Sequence, residues 1–352
     1  MGKISVIVPC YNEQEVLNLY YKEMNSIMEQ MKEVEFELIF VDDGSTDDTL
    51  STLKELFEKD NRCHYYSFSR NFGKEAALYA GMKEAQGDYV VVMDADLQDP
   101  PSYIPKMYEE VKDGKYDCAA TRRMDRKGEK KIRSFFSAAF YKVINKMSKT
   151  QIVEGARDFR MMNRKMVDAL LEMGEYNRFS KGMFGWIGFR TKWMEYHNVE
   201  RAAGETKWSF MKLVKYSVDG ILGFSTLPLS LASYSGFLFC GLSFCMICYL
   251  VIKNMIWHDP VAGWPSMMCV IFFIGGVQLL CMGILGQYLA RTYVEVKDRP
   301  IFILKETSDD EITRQNANIE KERIRIYRNT HLDTDLPVSD SKKRRVSGGH
   351  KS

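Results

Sequence analysis

Residues Asp94-Ala95-Asp96-Leu97-Gln98-Asp99-Pro100-Pro101 follow directly on the apolar run Tyr89-Val90-Val91-Val92-Met93. A short buried strand there delivers three carboxylates to one spot at its C-terminal end. Like charges on neighbouring residues repel and resist desolvation unless a cation or hydrogen-bond donors compensate. The cluster therefore asks for a hard divalent metal, and metal held this way usually serves a phosphorylated ligand. A second reading leaves Asp94, Asp96 and Asp99 only capping a loop, since Asp commonly marks turns and a Pro pair forbids continuation of a strand. What else converges on the same place decides between the two.

The elements that must position the cluster alternate in type. Apolar strands are expected at Ile4 to Val8, Phe36 to Val41, His64 to Ser67, Tyr89 to Met93 and Asp117 to Thr121. Helices are expected at Glu13 to Met31, Thr46 to Lys59, Lys74 to Ala85, Pro101 to Gly114 and Arg164 to Glu172. Short apolar strands separated by helices imply a parallel sheet covered on both faces, with ligand sites beyond the carboxyl ends of the strands. The second strand ends in Asp42-Asp43-Gly44-Ser45-Thr46-Asp47, on the same rim as Asp94 and Asp96. Asp43 or Ser45 is also well placed to cap the helix that begins near Asp47, and capping is compatible with ligand binding.

At 352 residues and 45% hydrophobic the chain resembles an ordinary soluble protein on average, with a formal net charge of +2. The average hides a segregation. Two long apolar stretches, Leu229 to Trp257 and Ser266 to Ala290, each have about the length that crosses a bilayer and lack the polar stripe of a core helix. Lys207, Lys212 and Lys215 precede the pair and Arg291, Lys297 and Arg299 follow it, whereas the link from Asn254 to Pro265 has no Lys or Arg. The positive-inside rule then places both ends, and the large N-terminal part, in the cytoplasm. The first nine residues are too short for a signal peptide and run into a turn.

Between Arg122 and Lys149 ten Lys or Arg face two acids, interleaved with Phe135, Phe136, Phe140, Tyr141, Val143 and Ile144 at near-helical spacing. A basic amphipathic helix of this kind fits an anionic membrane surface, and with no recognisable nucleic-acid module nearby, nucleic acid is not the expected partner. The segment from Trp208 to Phe224 reads as a second interfacial helix. The eight cysteines form no disulfide framework, and Cys245 with Cys248 sits in an apolar stretch without His partners. The expected organisation is a cytoplasmic catalytic domain over 1–200, a juxtamembrane helix over 201–226, two transmembrane helices over 227–292, a cytoplasmic segment over 293–330 and a disordered tail over 331–352.

The assembled motifs resemble the inverting glycosyltransferases of family 2, and more closely their polyprenyl-phosphate branch, which includes bactoprenol glucosyltransferases and, more distantly, dolichyl-phosphate mannose synthases. The matching pieces are Val8-Pro9-Cys10-Tyr11-Asn12-Glu13, Val41 to Asp47, Asp94 to Pro101, Asp158-Phe159-Arg160 and Ala203-Gly204-Glu205-Thr206-Lys207. Five motifs in the family's order, followed by two apolar spans, cover about residues 3 to 300. The resemblance implies a GT-A fold, a Rossmann-like, mostly parallel α/β sheet of the nucleotide-diphospho-sugar transferases, followed by amphipathic interfacial helices and a two-helix transmembrane hairpin.

It also implies roles. Asp96, with Asp94 alongside, would hold Mg2+ or Mn2+ against the donor diphosphate; an oxygen-only site suits these ions better than zinc. Asp43 would hydrogen-bond the base with Asp42 assisting, Pro9 and Tyr11 would form the adjoining wall, and Glu13 belongs to the same donor group. Arg122, Arg123 and Arg133 match the acceptor-phosphate arginines, though either of the first two aligns, and a solvated or lipid-attracting face is the competing reading. Asp158 is the family's base. A phosphate monoester with a second pKa near 6 is largely a dianion already, so orienting Arg157, Arg160 or the sugar is an equal role. For Lys207, diphosphate contact and membrane-proximal anchoring both fit; for Trp186, sugar stacking and simple packing.

The implied activity is transfer of one hexose from a nucleotide-sugar, first UDP-glucose, to polyprenyl (undecaprenyl) phosphate at the cytoplasmic membrane face, with oligomers formed through the hairpins. Three rivals stand beside it. A processive polysaccharide synthase would carry a Gln-x-x-Arg-Trp element and more spans, and neither is present. A membrane-anchored sugar-nucleotide sensor would have lost carboxylates, and all are present. A phosphatase of the D-x-D-x-T type lacks its Thr, since Leu97 and Gln98 follow Asp96.

Overall fold

The computed structural model describes residues 2–123, 145, 153, 155–196, 222–257 and 263–313. Its centre is an eight-stranded sheet in the order β7-β5-β6-β4-β1-β2-β3-β8. The strands are β1 (Lys3–Cys10), β2 (Glu35–Asp42), β3 (Cys63–Phe68), β4 (Tyr89–Val92), β5 (Cys118–Arg123), β6 (Ala156–Asn163), β7 (Thr191–Tyr196) and β8 (Leu304–Thr307). β1 pairs parallel with β2 and β4, and β2 parallel with β3. β6 runs antiparallel to both β4 and β5, and β5 is parallel to β7.

Helices α1 (Gln14–Gln30), α2 (Thr49–Lys59), α3 (Lys74–Glu84), α4 (Ile104–Lys112), α5 (Arg164–Glu172) and α6 (Ser180–Trp186) cover the two faces. Alternation along each strand divides the core, because successive side chains point to opposite faces. Ile4, Val6 and Val8 of β1 join Leu38, Phe40 and Val91 against Leu17, Tyr20, Leu53 and Met107. Ile7, Ile39, Val41, Val90 and Val92 face Ala77, Leu78, Val167 and Met183 instead. Burying each of these larger side chains is worth about 1.5–3 kcal/mol. α3 packs tightly on the sheet because its buried residues include Ala76, Ala77, Ala80 and Gly81; a Cβ on Gly81 would come 2.2 Å from Ile7 Cγ2.

The elements expected from the sequence are present with small shifts. α2 begins at Thr49, not Thr46, because Asp43 to Asp48 form the turn. Pro101–Tyr103 makes a 3-10 turn ahead of α4. Three strands were not anticipated: β6, which holds the Asp158 motif, β7 and β8. Each lacks a long apolar run.

Helices α7 (Leu227–Trp257) and α8 (Trp264–Val296) contain the two expected stretches, and α8 continues past Ala290. The windows Leu227–Met246 and Val270–Val296 are long and apolar enough to cross a membrane and lie unburied within the protein. Phe237 is 79% exposed and Leu279 72%, so these are not core helices of a soluble fold.

Both ends of the pair touch the sheet domain. Ahead of α7, the Phe224 ring packs 5.8 Å from Phe179. After α8 the chain returns to the sheet, where Phe302 stacks on Phe68 at 5.0 Å and the Ser69 amide donates to the Ile303 carbonyl at 2.9 Å. Most of the basic amphipathic segment (124–144 and 146–149), residues 201–221 of the juxtamembrane segment and the tail lie outside the described residues. Residues 1–306 form one compact unit and 307–352 another.

Candidate active site

The C-terminal ends of β1, β2, β4 and β5 share a rim. Since β6 runs the other way, its N-terminal residues Arg157 and Asp158 lie there too. The turns after β1 and β2 are stitched together. Asn12 Oδ1 accepts from the Thr46 amide at 2.8 Å, Ser45 Oγ from the Asn12 amide at 2.9 Å and Thr49 Oγ1 from the Glu13 amide at 2.8 Å. Asn12 adopts φ 54 and Gly44 φ 66, and a Cβ at Gly44 would sit 2.4 Å from the Arg70 backbone carbon.

Asp42 is buried, accepting from the Ser67 hydroxyl at 2.8 Å and the Ser45 amide at 3.0 Å. Asp43 accepts from the amides of Phe72 at 2.6 Å and Gly73 at 2.9 Å. Neither Asp43 nor Ser45 caps α2, where Asp47 accepts from the Thr49 amide at 3.1 Å instead. Burial pushes the Asp43 carboxyl up to about 6 in spite of those two amides. Beside this turn Tyr11 is 38% exposed and Pro9 half-buried, which leaves an aromatic and a proline surface open at the rim.

The acidic strand end is arranged differently from a three-carboxylate cluster. Lys74, the first residue of α3, puts Nζ 2.6 Å from Asp94 and 2.7 Å from Asp158. Burial raises the Asp158 carboxyl, but the Lys74 charge outweighs it and holds Asp158 well below the usual carboxylate range. Burial lowers the Lys74 ammonium, and the two carboxylates more than reverse that. In the sequence Lys74 stands out only as a cation at a helix N-terminus, where the helix dipole opposes it.

Asp99 takes partners of its own, and no side-chain cap bond forms at the Pro101–Tyr103 turn. It is buried, accepting from the Tyr196 hydroxyl at 2.5 Å and from Arg157 at 3.3 Å. Burial raises its carboxyl, and Arg157 works against that. Arg157 also donates to Gln98 Oε1 at 3.2 Å, so Asp99 and Gln98 orient Arg157. Arg160 is buried over the Phe184 ring at 3.5 Å and donates to the Arg157 carbonyl at 2.9 Å. Neither arginine meets the Asp158 carboxylate in a hydrogen bond.

Asp96 is half-buried, its Oδ1 accepting from the Gln98 amide at 3.1 Å. The intervening Leu97 has φ 56, a left-handed conformation costly for a non-glycine residue. Among the described residues no group of three or more His, Cys, Asp or Glu is arranged to hold a metal. Asp96 with Asp94 is still a fitting partial set for Mg2+ or Mn2+, because Mg2+ commonly takes one or two carboxylates and completes its shell with substrate phosphate oxygens and water.

Arg122, the last residue but one of β5, lies on this rim and pairs with Glu195 of β7. Arg123 follows it in β5. Arg133 and Lys207 lie outside the described residues. Trp186, at the end of α6, is 63% exposed and so is not packed.

Residues 5–171 match the domain described as Glycosyl transferase family 2. The SfII prophage-derived bactoprenol glucosyl transferase of Shigella flexneri is 40% identical over 305 residues, 87% of this chain and 98% of that protein. The uncharacterized glycosyltransferase YkcC of Bacillus subtilis is 39% identical over 328 residues, 93% of this chain and 98% of that protein. A solved glucosyl-3-phosphoglycerate synthase from Mycobacterium tuberculosis is similar at 20% identity with a TM-score of 0.40, covering 63% of this chain and 78% of that one; at such distance the likeness says nothing of ligands. The full-length relatives and the matched domain together establish that the chain belongs to glycosyl transferase family 2.

Proposed function

We propose that this protein transfers one hexose from a nucleotide-sugar to polyprenyl phosphate by a single displacement that inverts the anomeric carbon, with UDP-glucose the first donor to try. The observation that carries the reading is the meeting, on one rim, of the Asp42–Asp43 turn, the Asp94–Asp96 pair and the Lys74–Asp158 ion pair, in a chain with two long unburied apolar helices. The bactoprenol name of a relative matched over nearly its whole length supports the lipid acceptor.

In this reading Tyr11 and Pro9 flank the base and Asp43 accepts a hydrogen bond from it, while Asp42 and Glu13 keep the two turns in register. Asp96 first, and Asp94 second, would hold Mg2+ or Mn2+. That ion would neutralise charge growing on the leaving nucleoside diphosphate. Lys74 adds a fixed positive charge at the same place. Asp158, kept ionised by Lys74, orients the sugar or Lys74 itself; the acceptor phosphate, largely a dianion near neutral pH, needs positioning more than deprotonation. Arg122 or Arg123, with Arg133, would supply planar donors to that phosphate, and Lys207 contacts diphosphate or the membrane surface.

The domain over 1–200 and both chain ends are read as cytoplasmic, with residues 201–226 at the interface and 227–292 in a bacterial inner membrane. The test is incubation of the purified protein with labelled UDP-glucose, UDP-N-acetylglucosamine or UDP-galactose, Mg2+ or Mn2+, and undecaprenyl phosphate. A lipid-linked monosaccharide of inverted anomeric configuration is expected. Nucleotide-sugar binding without any lipid product across that panel rules the reading out in favour of a sensor.

A further inference from the structure

The end of α8 reaches the catalytic rim through a continuous chain of contacts. Glu295, one residue from the end of that helix, accepts from the Tyr176 amide at 3.1 and 3.2 Å and from the Asn177 amide at 3.4 Å. The same segment continues into Arg178, whose guanidinium lies 4.4 Å over the Tyr79 ring of α3. Next is Ser180, whose amide donates to Glu75 at 3.1 Å and whose hydroxyl pairs with the same carboxylate. Glu75 is the neighbour of Lys74, which bridges Asp94 and Asp158. On the other side, the Phe224 ring fills the space a Cβ on Gly182 would need, at 2.5 Å.

We propose that Glu295 is a positioning residue for glycosyl transfer: from the foot of the second apolar helix it fixes the 173–180 segment, which fixes the first turn of α3 and with it Lys74. The proposal deepens the transferase reading and rests on it for its kinetic arm. The physical ground is that a catalytic cation displaced by about 1 Å can cost 10²-fold in rate, and that the residue before Lys74 is Gly73, with φ 99, a backbone conformation open to glycine and not to most other residues. Of the contacts just described for this first turn, only the Ser180–Glu75 pair holds it from outside the site.

The test uses the full-length protein in lipid nanodiscs, with Glu295→Ala, Glu295→Gln, Ser180→Ala and the double variant Glu295→Ala with Ser180→Ala. Turnover of nucleotide-sugar and amide hydrogen exchange are both read. Glu295→Ala should lower kcat about tenfold with little change in donor KM, and Glu295→Gln, which keeps an acceptor oxygen, should recover most of it. The double variant should lose no more than the worse single, since the two links act in series. Exchange should quicken at residues 176–181 and also at 74–79. Quickening confined to Tyr176 and Asn177, or additive kinetic losses, overturns the proposal. If wild-type protein makes no lipid-linked sugar, the transferase reading falls, while the exchange pattern still decides whether Glu295 governs α3.

Discussion

Lys74 and Asp158 form an ion pair at 2.7 Å across the floor of the candidate site, and the same ammonium lies 2.6 Å from Asp94. A cation between two carboxylates from different strand ends locks β4, β6 and α3 together at the point where the donor diphosphate would lie. Removing it leaves two partly buried carboxylates uncompensated. Lys74→Met should therefore lower sugar transfer about 10²-fold and lower the melting temperature. Lys74→Arg should restore more of the thermal stability than of the rate, because a planar fork does not reproduce a point charge between two acids.

Asp158 bears on the identity of the base. With its carboxyl held well below the usual range by Lys74, Asp158 is expected to contribute no acid limb between pH 5 and 8. A carboxyl depressed on folding contributes stability above its unfolded pKa, and that stability is lost only as pH falls through the folded value. Asp158→Asn should thus depress kcat by a constant factor from pH 6 to 9. A loss that disappears at high pH would instead identify Asp158 as the base.

Asp43 has the opposite sign. Its carboxyl stands at about 6 through burial, so between about pH 4 and 6 the folded protein binds more protons here than the unfolded chain does, and stability from this group falls as pH rises through that window. Donor binding runs the other way, because the carboxylate is the better acceptor for a base N–H. The donor KM should rise below pH 6 in the wild type and lose this dependence in Asp43→Asn, as read from kcat/KM against pH.

Asp96→Ala should abolish metal-dependent donor turnover while leaving membrane insertion intact. Titration of Mn2+ into the variant with UDP present should show no saturable site. Turnover retained in the variant removes the centre of the proposed mechanism.

Gly44 has φ 66 and no room for a Cβ against the Arg70 backbone. Gly44→Ala should destabilise the fold by about 1–3 kcal/mol, read as a lower midpoint in thermal unfolding, and should weaken nucleotide binding because Asp43 is the next residue.

Most of the scaffold was legible because apolar strands and small-faced helices have local periods. Val90 to Met93 can only be a buried strand, and its position ahead of Asp94 puts carboxylates on the rim of any parallel sheet. β6 was not legible: Arg157, Asp158 and Arg160 break its apolar run, and it became a strand only because β4 and β5 pair with it on either side. The same gap concealed Asp99, three residues from Asp96 in sequence yet turned into a pocket made by Tyr196 and Arg157.

The alternating α/β order, the two long apolar helices and the acids at the ends of β2 and β4 are consequences of residue type and short-range spacing. Long-range packing makes Asp94 and Asp158 share Lys74, turns Asp43 partly to the Phe72 and Gly73 amides, and brings Glu295 at the foot of α8 to Tyr176. Those partners lie from 20 positions apart, as Lys74 and Asp94 do, to 119. Hydrogen bonds and ion pairs act over about 3 Å, and nothing local in the chain encodes which distant groups the fold will bring within that reach.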